Sequence, residues 1–112
     1  MFLRRMLMAA VLATGFSGLA SAQCDTNFTL VNRSGSTVNE FYFGSSAQSS
    51  WGSDQLGANV LRNGATMRFQ ARSAGRNDFR VVWASGETAD LMGIDICTTS
   101  EIVATRSGIE AR

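Results

Sequence analysis

Residues 78–84, DFRVVWA, place Phe79, Val81 and Trp83 on one side of an extended chain and Arg80 on the other. A period of two fits a strand half-buried against a core, and it does not fit the 3.6-residue turn of a helix. The same alternation recurs along the chain. In Asn27–Asn32 (NFTLVN), Phe28 and Leu30 oppose Thr29 and Val31; in Thr66–Ala71 (TMRFQA), Met67, Phe69 and Ala71 oppose Arg68 and Gln70. Thr37–Phe43 (TVNEFYF) sets Val38, Glu40 and Tyr42 against Asn39, Phe41 and Phe43. Both of its faces are partly apolar, as expected of an inner strand or one covered by a loop.

Shorter strands are expected at Asn59–Leu61, Glu87–Leu91, Ile94–Thr98 and Glu101–Thr105. Glycine-containing turns separate them at Arg33-Ser34-Gly35-Ser36, at Asn63-Gly64 and within Arg72–Asn77. Ser85-Gly86 reads as a two-residue hairpin turn, and Ser107–Arg112 as a frayed tail. No amphipathic helix is evident beyond residue 22. The class is all-β: a small antiparallel β-sandwich of about seven short strands, with a small β-barrel as the alternative.

The first 22 residues follow a different logic. Arg4 and Arg5 precede an uncharged, mostly apolar stretch over Met6–Leu19, and Ala20-Ser21-Ala22 is a small-x-small cleavage pattern. The apolar stretch is broken by Thr14, Gly15, Ser17 and Gly18 and is shorter than the roughly 20 residues of a membrane span. Residues 1–22 are therefore expected to be a cleavable signal peptide and 23–112 a single secreted β domain, in the periplasm or outside the cell. The arginine pair is compatible with both ordinary and twin-arginine export. Acylation of Cys24 is disfavoured by Gln23 before it.

Loss of Arg4 and Arg5 leaves eight arginines against nine acids, a formal side-chain charge of −1, where the whole chain carries +1. That balance gives no field to hold nucleic acid or an anionic membrane, and no stable membrane insertion is expected after signal removal. With no lysine or histidine in the remainder, neither a Ser-His-Asp triad nor a Ser-Lys dyad can be assembled, and histidine-built zinc or copper sites are excluded. No enzyme activity, metal or cofactor is expected.

Cys24 and Cys97, 73 residues apart, would meet an oxidising compartment and are expected to form a disulfide. No C-x-x-C arrangement points to redox chemistry.

The ordered segments Asn32-x-Ser34-Gly35, Phe41-Tyr42, Trp51-Gly52-x-Asp54-x-Leu56-Gly57, Leu61-x-x-Gly64, Asp78-x-Arg80-Val81, Gly86 and Asp95-Ile96-Cys97 span nearly the whole exported part. Together they resemble a family of small exported bacterial proteins of unknown function, often labelled only by a twin-arginine or other export signal. The resemblance implies a β-sandwich-like domain and no enzyme activity. In that family a cysteine commonly precedes the D-x-R-V strand and partners the one in the D-[LI]-C segment. Here Arg76-Asn77 stands in that place, so either the bridge has moved to Cys24 or Cys97 is free.

Candidate binding residues are Tyr42, Trp51 and Asp54. Gly44–Gly57 is a long polar loop with two aromatic residues in or beside it, and such loops on a rigid scaffold often carry recognition. Each residue has a purely structural alternative. Trp51 and Tyr42 could pack into the core, and Asp54 could cap a turn or, with neighbouring oxygens, hold calcium, although no D-x-[DN]-x-[DN]-G pattern is present. The expected role is a non-catalytic binding or accessory module with a protein or small-molecule partner. The alternatives are a self-associating envelope protein paired through an open strand edge and a calcium-stabilised domain.

Overall fold

The computed structural model describes residues 24–112; the signal peptide read over residues 1–22 lies outside the described residues. Seven strands follow: β1 (Asn27–Asn32), β2 (Val38–Ser45), β3 (Thr66–Gln70), β4 (Arg76–Trp83), β5 (Thr88–Asp95), β6 (Glu101–Thr105) and β7 (Gly108–Ala111). They form two sheets, β3-β1-β6-β7 and β2-β4-β5, so the fold is a β-sandwich rather than a closed barrel. All neighbours are antiparallel except β1 and β6, which run parallel from Thr29 opposite Glu101 to Asn32 opposite Ala104. The chain between β1 and β6 builds the whole second sheet, which supplies the long crossover that a parallel pair needs.

The inner faces carry the apolar alternation. Phe28, Leu30, Val38, Phe41, Phe79, Val81, Ile96, Ile102 and Ala104 are buried and pack into one cluster. Phe28 lies at its middle, with ring centroids 5.0 Å from Phe43, 5.5 Å from Phe79, 5.8 Å from Phe69 and 6.2 Å from Phe41. Three of these four contacts are edge-on, the arrangement favoured by the ring quadrupole.

Strict alternation fails in β2. Val38 and Phe41 are both fully buried although three positions apart, because a bulge between Val38 and Glu40 resets the parity. A second irregularity sits where Asp78 of β4 faces β5. Asn77 pairs with Ile94 and Phe79 with Leu91, which leaves Met92 and Gly93 opposite one residue. Gly93 adopts φ +67° and donates its N–H to Asp78 Oδ1 at 2.7 Å. This bulge lets one strand, β5, run through the region where the sequence suggests two, and the expected strand Ile94–Thr98 instead gives way to a short 3₁₀ helix, Ile96–Thr98. Asp95 caps that turn, its Oδ1 accepting from Cys97 N–H at 2.9 Å.

Two further expectations are corrected. The β4–β5 turn has three residues, not two: Trp83 N–H bonds to Glu87 O, Gly86 N–H bonds to Trp83 O, and Gly86 takes φ +92°. The final residues are not frayed. Ile102 pairs with Ala111, and Glu101 and Arg112 exchange two backbone hydrogen bonds of 2.9 Å. Ile109 and Ala111 pack against the core, so the tail has an apolar face to bury.

Two features lock the sandwich internally. Cys24 and Cys97 form a disulfide with Cα atoms 4.9 Å apart, which ties the start of the domain to the 3₁₀ turn. At the end of β1, fully buried Asn32 donates to the carbonyls of Ser36 and Leu61 and accepts from the N–H and Oγ–H of Ser34. Ser34 Oγ in turn accepts from the Trp83 indole N–H at 3.0 Å. The polar positions of the N-x-S-G segment thus join both sheets by hydrogen bonds.

A candidate binding cleft beside Trp51

β5 and β7 meet along one side of the sandwich, so β2 and β3 are the outer strands of the other side. Phe43 of β2 and Phe69 of β3 face each other there at 5.6 Å. The loop that follows β2 crosses this side and covers the outer edge of β2. Asp54 Oδ1 accepts the N–H groups of Phe41 and Leu56, each at 2.9 Å, while Gln55 N–H donates to Phe41 O at 2.7 Å. Buried Leu56 and Leu61 pin the segment, and Val38 and Leu61 exchange two 2.9 Å backbone bonds. An edge that could recruit another strand is therefore occupied.

The front of the loop is fixed on the outer face of the second sheet. Ser46 Oγ donates to Asp78 Oδ1 at 2.6 Å. The Arg80 guanidinium lies 4.8 Å from the centre of the Trp51 ring. Arg80 is itself held by two hydrogen bonds to Asp90, of 2.6 and 2.8 Å, across the β4–β5 pair. The bidentate bond holds the Asp90 carboxyl below its ordinary range, against a smaller opposing effect of burial, and raises the Arg80 guanidinium. Gly44 leaves room for the same loop: a Cβ there would lie 2.3 Å from Gln48 Oε1 and would displace the end of that flexible side chain.

Between this loop, the end of β3 and the start of β4 lies a cleft of about 420 Å³. Phe43, Phe69 and Trp51 provide its aromatic surface, and Gln48, Arg72 and Asn77 are among its polar groups. Asn77 is fully buried; its amide donates to the carbonyls of Ser73 at 3.0 Å and Gly75 at 3.2 Å, while its Oδ1 has no hydrogen-bond partner. A smaller hollow of about 120 Å³ adjoins the cleft, sharing Gly44, Ser45, Gln48 and Trp51 and bordered also by Asp78 and Met92. Another, of about 380 Å³, lies by Trp83 between Glu87 and Arg106, with one aromatic ring to the cleft's three.

Of the three residues singled out from the sequence, only Trp51 lines the cleft. Trp51 is half-buried rather than part of the core cluster. Tyr42 lies on the outer face of β2, opposite Arg80 in register, and donates its hydroxyl to Glu40. That bond, aided by burial and the Glu40 charge, raises the phenol above its ordinary value. Asp54 clips the loop to β2, so its Oδ1 is engaged by backbone donors. The residues that sequence reasoning missed, Phe43, Phe69, Arg72 and Asn77, come from three separate segments. Only the strand order brings them together, and only the loop itself was marked as a recognition surface by its composition.

Among the described residues, no three of His, Cys, Asp and Glu come together as a metal-holding group, and no helix is long and apolar enough to cross a membrane. Comparison with protein-family models, curated proteins and solved structures finds no match.

Proposed function

We propose that this chain is exported to the periplasm or beyond and acts there as a non-catalytic binding module, with the cleft beside Trp51 as its recognition surface. The observation that carries this reading is the cleft itself. Its volume of about 420 Å³ falls within the range of small-ligand sites, and three aromatic rings line it. Its wall is a loop fastened at Asp54, Leu56 and Leu61, which suits a pre-formed site that loses little freedom on binding. The Cys24–Cys97 bond fits an oxidising compartment, as does the signal-like segment before it. The lack of histidine and lysine in the exported part removes the usual activating bases and favours binding over catalysis.

The direct test is a fragment screen by ¹⁵N–¹H correlation spectra, on protein produced as the full chain and purified after export. Ligands that shift the Trp51 indole together with the amides of Phe69–Asn77 support the reading. A diverse library that moves none of these signals overturns it.

A further inference from the structure

Resting on that reading, we infer that the cleft takes a carboxylate-bearing saccharide, a pyranose ring of the uronic acid type. The lining decides the class of ligand. Beside the three aromatic rings it is lined by four residues with side-chain amides (Gln48, Gln55, Gln70 and fully buried Asn77), three serines and one arginine. No carboxylate lines it, although the exported part carries nine acids. A purely apolar ligand would desolvate the Gln48 amide and the Ser53 and Ser73 hydroxyls without giving them partners, at a cost for each. A cation would find no carboxylate there and would be repelled by Arg72. A saccharide ring fits both halves of the surface: its C–H faces lie against the negative faces of aromatic rings, and its hydroxyls exchange hydrogen bonds with amides and serines.

Two observations narrow this further. Asn77 Oδ1 is the only buried side-chain polar atom without a partner among the described residues, and it is an acceptor, so it calls for a donor such as a hydroxyl. Arg72 is exposed at the cleft and forms no ion pair among the described residues, unlike Arg80 and Arg112. Its planar fork matches a carboxylate. The acid group is thus assigned to Arg72 and the ring to the aromatic and amide surface.

The experiment titrates the labelled, exported protein with glucuronate, glucose and acetate in the millimolar range. Glucuronate and glucose differ only in the oxidation of C6, while acetate supplies the carboxylate alone. We expect glucuronate to shift the Trp51 indole and the Phe69–Asn77 amides with an affinity about tenfold above that of glucose or acetate, equivalent to about 1.4 kcal/mol. Arg72→Gln, an exposed change, should bring glucuronate down to the level of glucose. Equal affinity for all three probes, shifts confined to another surface, or a glucuronate preference that survives Arg72→Gln would overturn the inference. If fragments occupy the cleft and glucuronate does not, the saccharide assignment falls while the binding module stands; if neither binds, both fall.

Discussion

Asp54 accepts the backbone N–H of Phe41 at 2.9 Å from thirteen residues further along the chain, just past the bulge where β2 changes parity. One carboxylate oxygen thereby satisfies a strand edge and, through Leu56 N–H, the turn of its own loop. Asp54→Ala leaves two N–H groups without that acceptor and should lower stability by about 2 kcal/mol, read from urea unfolding. Asp54→Asn keeps an acceptor oxygen and should lose less. Since backbone donors already engage the carboxylate, calcium and excess chelator should give the same melting temperature; a rise with calcium would show a cation competing for those oxygens.

Joining residues 73 apart, the Cys24–Cys97 bond restricts most of the unfolded domain. In the chain-entropy model it contributes about 4 kcal/mol. The Cys24→Ser, Cys97→Ser double variant should therefore lose much of the stability of so small a domain, in thermal unfolding compared under identical buffer.

Removal of the Asn32 side chain should be among the most damaging single changes. It strips partners from the Ser36 and Leu61 carbonyls and from the Ser34 N–H, all at the junction of the two sheets. Asn32→Ala is expected to cost about 3 kcal/mol in chemical denaturation. Trp83→Phe, which removes the indole donor to Ser34 and part of a ring packed against the core, should cost about 1–2 kcal/mol. A smaller effect for Asn32→Ala than for Trp83→Phe would refute this ranking.

Arg80 and Asp90 predict a defined pH response. Because the folded Asp90 carboxyl lies below its ordinary value of 3.8, the pair's contribution is present above that pH and disappears as the pH falls through the lowered value. Both side chains are about one-third exposed, so the contribution at neutral pH should stay below about 1 kcal/mol. Asp90→Asn should be mildly destabilising at pH 7 and indistinguishable from the parent in strong acid. Tyr42 acts with the opposite sign. Its raised phenol favours the folded state below the ordinary value of 10.0, and that contribution fades as the pH climbs through the folded value.

Trp51 should report its own environment. Compared with a Trp51→Phe variant, the parent's additional fluorescence should be open to acrylamide, as the half-buried ring beside the cleft requires. A blue-shifted, unquenched component would place Trp51 in the core and remove the cleft's main aromatic wall.

The alternation of Phe79 and Val81, of Phe28 and Leu30, and of Met67 and Phe69 carries the fold class because a strand packed on one face repeats every two residues. Local irregularities escape that rule. Val38 and Phe41 violate the period because a bulge intervenes, and Gly93 bridges what reads as a gap between two strands. The last strand departs from the expected frayed tail because Ser107-Gly108 reads as a terminus, whereas Ile109 and Ala111, two positions apart, carry the strand signal. The cleft was legible only as a loop with a tryptophan. Arg72, Phe69 and Asn77 reach it through strand pairings that no local pattern specifies.

The parallel pairing of β1 with β6 also sets the timing of assembly. The first strand sits in the interior of its sheet, and one of its two neighbours is made more than sixty residues later. Until the last stretch of chain has been synthesised, the opening segment keeps a raw flank with its amides unmatched, so no stable half-domain is available as a stopping point. Long-range closure of this kind slows folding. A ribosome-stalled chain ending before residue 100 should thus remain open to protease from residue 24 onward.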